Sequence, residues 1–348
     1  MKVTIAKLRT SIQYTFSKTY FIYMDSFYEN YEYWMKSRPD LEFDVYNISF
    51  DETKPIRNDE AIKTADVVII PSESEWRYQR PDLWEGKHTV SLGESYKGHR
   101  DKTNKQLDEI RPYFENKRII FWRCERADTE ELYRTKVFYD TPIKSFDILD
   151  EIDFSGNLNG MRYHHIPNLQ KELNCDTTKT IDFAYWGSAW KDDRDKVIHG
   201  IYENKDFTTM LVGGWLYLKE DVNNQIKPWA RDWRDLYPLL KPARSTCCFN
   251  WLDENSTTSR YVEALAIGII PFVWHTQNFQ YDKSNTYNID PWQRVGDVEE
   301  LLWKLEWLRD DTFFKTKLRE YRKNYKKVLL SKKQYSEEFN KRMDALTC

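Results

Sequence analysis

The segment Asn255 to Trp274, NSTTSRYVEALAIGIIPFVW, constrains this chain more tightly than any other. Four hydroxyl residues, Ser256 to Ser259, stand before Arg260. Ser256, Thr257 or Thr258 can cap a helix starting there, with its unpaired N–H groups facing outward. Small and apolar residues follow, then Gly268 and a short apolar strand pattern ending at Trp274. Arg260 and Glu263 are three residues apart, so they share one face of the opening turns. Anions are favoured at that end of a helix. An arginine there can fork onto a phosphate, and a carboxylate can accept from a vicinal diol such as a ribose. A capped amphipathic helix carrying an exposed pair fits the same residues, but the layout suits a sugar nucleotide better.

The rest of the chain repeats this alternation. Val3–Ala6, Leu41–Ile48, Val67–Ile70, Arg118–Arg123 and Ser145–Leu149 read as strands. Tyr20–Met35 and Thr103–Phe114 read as helices between them. A polar stretch from Phe154 to Thr180 has turn residues and no period, which sets a domain junction near Pro167 to Thr180. Beyond it, strands Ile181–Trp186, Phe207–Val212, Ser245–Phe249 and Ile269–Trp274 alternate with helices Asp192–Tyr202, Asp232–Leu240 and Thr257–Ile267. Three further helical stretches, Val298–Arg309, Asp311–Leu330 and Lys332–Leu346, close the chain. The rhythm predicts an α/β protein with two parallel sheets. A length of 348 residues is enough for two cores.

In open α/β sheets, ligands bind at the carboxyl ends of strands. Two further loops of the second half qualify. Gly187 and Ser188 follow the Ile181 strand, with Lys191 and Arg194 close behind. They fit a diphosphate cradle, and equally a tight turn with a solvated charge run. Gly213, Gly214 and Trp215 end the next strand. Glycine there lets a base or sugar lie against the backbone while the indole stacks; an ordinary turn beside a core tryptophan fits as well. In the first half, Glu125 and Asp128 follow the Arg118 strand and are plausible general bases, or members of a surface charge cluster. Ser72, Glu75 and Arg77 follow the Val67 strand and could meet an acceptor, or form a polar loop.

Other classes are disfavoured. The chain has no Walker loop and no GxGxxG fingerprint, and the adjacent His164 and His165 lack metal spacing. The five cysteines have no CxxC spacing and their number is odd, which points to free thiols in a reducing cytoplasm. No apolar run is long enough to span a membrane. Net charge is −3, so no global field advertises a polyanion, although a local basic face is compatible with it.

These motifs resemble GT-B glycosyltransferases, and within that class the DNA glucosyltransferases of T-even-type phages. The resemblance rests on FAYWGSAWKDDRDK, MLVGGW and SRYVEALAIGIIPFVW, in that order and spacing over Ile181 to Trp274. It implies a GT-B fold of two Rossmann-like domains facing a cleft. The acceptor domain is expected over 1–168 and the nucleotide-sugar domain over 178–330, with 331–348 returning to the first domain. It further implies a UDP-sugar donor, with Arg260 on the diphosphate, Glu263 on the ribose, and Ser188 and Arg194 completing the phosphate cradle. Glu125 takes the position of an inverting enzyme's general base, where the family carries Asp, and Asp128 is the second candidate. A family arginine just after Gly-Ser falls on Trp190 or Lys191, and the family's glycine loop after the first strand is missing. The implied partner is double-stranded DNA bearing hydroxymethylated bases, with Lys97, Arg100, Lys102 and Lys105 as phosphate contacts. A monomer is expected, in the host cytoplasm if phage-encoded. No visible motif requires a divalent metal, and magnesium assistance is left open. Many sugar-nucleotide enzymes share the donor half, so a glycan, lipid-linked sugar or protein is the competing acceptor, and a non-enzymatic binding module is the third reading.

Overall fold

A computed structural model describes residues 1–9, 38–49, 59–71, 109–123, 145–150, 178–187, 193–228, 230, 233–249, 260–274 and 289–328, together with 337, 340, 341 and 344. The chain divides into two compact units. The first comprises Met1–Ile152, Asn159–Met161 and Lys333–Cys348, and the second Asp153–Leu158 and Arg162–Lys332. The main segment of the first unit ends at Ile152.

The first unit holds strands β1 (Lys2–Arg9), β2 (Glu42–Ser49), β3 (Val67–Pro71), β4 (Arg118–Arg123) and β5 (Ser145–Asp150), with a short helix α1 (Asp59–Lys63). All neighbours pair in parallel, in the order β2-β1-β3-β4-β5. Crossovers therefore reverse direction between β1 and β3, a switch point of the doubly wound kind. Val67, Val68 and Ile69 are wholly buried, as are Ile119 and Ile120, which explains why these strands read as continuous apolar runs. Of the expected helix Thr103–Phe114, the described part is α-helical at Glu109 and Ile110 and tightens into a 3-10 segment over Arg111–Phe114. Pro112 is the second residue of that segment, and its missing N–H is tolerated in a first turn. Within this unit Arg38 pairs with Asp344 at 2.8 Å, which ties the carboxyl-terminal segment to the chain that precedes β2.

The second unit is built on β6 (Ile181–Gly187), β7 (Thr209–Gly213), β8 (Asn224–Lys227), β9 (Ala243–Cys248), β10 (Ile270–Trp274) and β11 (Arg294–Val295). Its helices are α2 (Asp193–Glu203), α3 (Trp233–Leu240), α4 (Arg260–Ile267), α5 (Val298–Leu308) and α6 (Asp311–Val328). The sheet runs β11-β10-β9-β6-β7-β8, and every pairing is parallel. Counted along this unit the order is 3-2-1-4-5-6, the Rossmann arrangement, with its switch point between β6 and β9. Six of the seven β6 residues are buried, as a central strand covered on both faces requires.

Strand β8 was not legible as a strand because it is a polar edge. Its Asn224 is buried all the same, hydrogen-bonded to Thr209 and donating to the Tyr202 carbonyl at 2.9 Å. At the amino-terminal end of β6, Asp182 accepts from both arms of Arg309, Nε at 3.2 Å and Nη2 at 3.1 Å, and so fixes the end of α5 against the sheet. No helix among the described residues is long and apolar enough to cross a membrane.

Candidate nucleotide-sugar site

The carboxyl ends of β6 and β7 meet at two glycines. Gly187 and Gly213 are register partners, with φ of +143° and +122°, and the Gly214 N–H donates to the Gly187 carbonyl at 3.2 Å. Both conformations disfavour any side chain. At Gly187 a Cβ would also stand 3.1 Å from Nη2 of Arg260. The glycine is thus needed for the close approach of an arginine as well as for the turn.

That arginine opens α4, the helix following β9 on the other side of the switch point. Its Nη2 donates to the Trp186 carbonyl at 2.6 Å, and its guanidinium lies 4.4 Å above the Tyr185 ring and 5.3 Å from that of Trp186. Nε of Arg260 is buried without a hydrogen-bond partner among the described residues. One turn on, the buried Glu263 accepts from Trp186 Nε1 at 3.2 Å. Both charged residues of the opening helix therefore converge on one residue, Trp186, at the end of β6.

Helix α4 is held in place from its far end. Gly268 turns the chain with a φ of +85°, and Ile269 N–H donates back to the Ala264 carbonyl at 2.8 Å. Arg322 of α6 donates to the carbonyls of Leu265 and Ala266 at 2.7 and 3.1 Å, and Lys179 donates to that of Gly268 at 2.8 Å. These cations satisfy the carbonyls a helix leaves unpaired at its end. Its amino terminus remains directed at the strand ends.

Below lies an aromatic floor. Tyr185 meets Trp215 and Phe249 edge-on at 5.7 and 5.8 Å, and Phe249 meets Trp274 at 5.9 Å. Arg194, in the first turn of α2, sits 5.7 Å over Phe249. The fields of Arg260 and Arg194 both reach the Cys247 thiol, but burial outweighs them and pushes that thiol well above its ordinary range. Cys247 and Cys248 are buried and form no disulfide. Two guanidinium groups over aromatic faces make this strand-end region cationic.

The structure brings Gly187, Gly213, Gly214, Arg194, Arg260 and Glu263 into one neighbourhood. Trp215 takes the other of its two readings: it is wholly buried, packed against Tyr185 and His199, so its indole is part of the floor and offers no open stacking face. Ser188 and Lys191 lie outside the described residues, as do Glu125, Asp128, Ser72, Glu75, Arg77, Lys97, Arg100, Lys102 and Lys105. Tyr185 and Trp186, which contact Arg260 in the structure, were given no binding role by sequence reasoning. Their only local signal is an aromatic pair directly before a strand-end glycine. Among the described residues no group of three or more His, Cys, Asp or Glu stands together to hold a metal ion.

Comparison with known proteins follows the same line. No family model matches the chain, and no curated protein matches its sequence. Solved structures do. One is the DNA-modifying enzyme β-glucosyltransferase, studied with and without uridine diphosphoglucose. It is 14% identical, with a TM-score of 0.60 and full coverage of both chains. A second is the T4 phage enzyme BGT in complex with UDP and Mn2+, also 14% identical, with a TM-score of 0.56 over 99% of this chain and 100% of that one. A third is an α-glucosyltransferase in complex with UDP and a 13-mer DNA containing a central A:G mismatch, 12% identical, with a TM-score of 0.53 and full coverage of both. The resemblance read from the motifs holds at the level of the fold: this chain has the two-sheet α/β, GT-B architecture of the phage DNA glucosyltransferases.

Proposed function

We propose that this protein is a glycosyltransferase that moves a sugar from a UDP-sugar to DNA. The observation that carries the reading is the convergence of Arg260 and Glu263 on Trp186 at the switch point of the second sheet. It supplies a cation for the diphosphate and a carboxylate for the ribose at the place where open α/β sheets bind ligands. Full-length likeness in fold to enzymes described with UDP-glucose or with UDP and DNA supports both halves of the proposal.

In this reading Arg260 and Arg194 stabilise the charge that develops on the departing diphosphate. Gly187 and Gly213 let the donor approach the backbone, and Ser188 and Lys191 complete the cradle. The acceptor is the hydroxyl of a hydroxymethyl base, 5-hydroxymethylcytosine or a related one. Glu125, just beyond β4, removes its proton as the sugar transfers with inversion, and Asp128 is the alternative base. A base in a duplex must leave the stack to reach such a site. Lys97, Arg100, Lys102 and Lys105 would hold backbone phosphates, with Ser72, Glu75 and Arg77 nearer the acceptor. A neighbour is described in complex with UDP and Mn2+, and magnesium assistance is left open.

The test is direct. Duplex DNA containing 5-hydroxymethylcytosine is incubated with the protein and a panel of UDP-sugars, digested to nucleosides and read by mass spectrometry. A glycosylated nucleoside with one donor, absent with Arg260→Ala, is the expected result. Absence of product with every donor, alongside transfer to a glycan or protein acceptor, would move the chain to the competing class.

A further inference from the structure

Trp186 has two functions at one point. Its carbonyl accepts from Arg260 Nη2, and its indole N–H donates to Glu263 Oε2. The indole is almost fully buried, and so is the carboxylate it serves. A buried carboxylate without a donor faces a large desolvation cost and turns toward any alternative partner. The N–H therefore holds one oxygen of the Glu263 carboxylate in a fixed direction. A carboxylate has about four acceptor sites, so holding one oxygen through the indole leaves acceptor capacity for a diol.

We infer that Trp186 is a positioning residue for nucleotide recognition, orienting Glu263 toward the ribose hydroxyls of the donor. This rests on the donor reading above and goes beyond it, because it assigns ribose selectivity to a strand residue 77 positions from the carboxylate. Tyr185, beneath the Arg260 guanidinium, serves the phosphate side, whereas Trp186 serves the sugar side of the same nucleotide. The two sides can be separated experimentally, since removing the ribose hydroxyls leaves the diphosphate unchanged.

The test is a cycle between one protein group and one ligand group. Affinities of the full chain for UDP and for 2′,3′-dideoxy-UDP are measured by calorimetry, in wild type and in Trp186→Phe. A second variant carries 3-benzothienylalanine at position 186, which replaces only the N–H by sulfur and guards against misfolding of the first. Wild type is expected to prefer UDP. Each variant is expected to lose about tenfold for UDP, the scale of one hydrogen bond to a charged group, and less than about twofold for the dideoxy nucleotide. In turnover, KM for the UDP-sugar should rise with kcat nearly unchanged, the mark of binding shared by ground and transition states. Equal losses on both nucleotides, or no preference for UDP in wild type, would overturn the role of Trp186 while leaving the donor site standing. Failure of wild type to bind UDP at all would overturn the donor reading and this inference with it.

Discussion

Arg260 Nη2 lies 2.6 Å from the carbonyl oxygen of Trp186, joining residues 74 positions apart in the chain. A neutral carbonyl orients the guanidinium without cancelling its charge, so the cation is positioned and still available to an anion. Arg260→Ala should weaken UDP binding by about 1.5–3 kcal/mol, roughly 10- to 100-fold in Kd. Arg260→Lys should recover only part of this, since an ammonium lacks the planar fork. Calorimetric titration of both variants checks the ranking, and a lysine variant equal to wild type would contradict it.

Gly187 couples backbone strain to this arginine. A side chain there must adopt a φ of +143° and displace Nη2 of Arg260. Gly187→Ala should cost about 1–3 kcal/mol in denaturant unfolding, the scale of a sparsely populated backbone conformation. It should weaken UDP binding in parallel, because the displaced group is the proposed phosphate ligand. An alanine variant that loses stability yet keeps full UDP affinity would separate the two effects and reject the coupling.

Cys247 should contribute to the alkaline limb of stability. Burial holds its thiol protonated well above the ordinary range. Above about pH 8.5 the unfolded chain ionises this thiol while the folded chain does not, so unfolding releases a proton and stability falls as pH rises. The contribution is fully present below the unfolded thiol's pKa. Cys247→Ala should flatten the decline by up to about 1.4 kcal/mol per pH unit. Urea unfolding at pH 7.5, 9 and 10 reads this out, and parallel curves for variant and wild type would refute it.

The Asp182–Arg309 pair supports the sheet from its other end. Arg309→Ala leaves a largely buried carboxylate with fewer donors and should destabilise the fold by about 1–3 kcal/mol. UDP affinity measured well below the melting temperature should be unchanged, since the pair lies at the amino-terminal end of β6, opposite the strand ends that carry the candidate site. A loss of affinity matching that of Arg260→Ala would show that the site depends on it.

Much of the candidate donor site could be read from the sequence because its signals are local. The i,i+3 pair Arg260 and Glu263, the hydroxyl run before it and the strand-end glycines Gly187 and Gly213 declare themselves within a few residues. The partners of that pair were not legible. Whether an indole reaches Glu263 depends on which strand neighbours β9, and that is a property of the sheet order. Trp215 misled for a related reason: a tryptophan after two glycines looks like a stacking platform until the packing of Tyr185 and His199 covers it. The edge strand Asn224–Lys227 was missed because its burial is satisfied by amide hydrogen bonds, which leave no apolar period to read.

A crystal structure of the protein with UDP tests most directly where the nucleotide sits. It should show the diphosphate within hydrogen-bond distance of the Arg260 guanidinium at the ends of β6 and β7, and the ribose hydroxyls on the Glu263 carboxylate. UDP bound elsewhere, with Arg260 still held only by Trp186 and Glu263 touching no ligand, would contradict it.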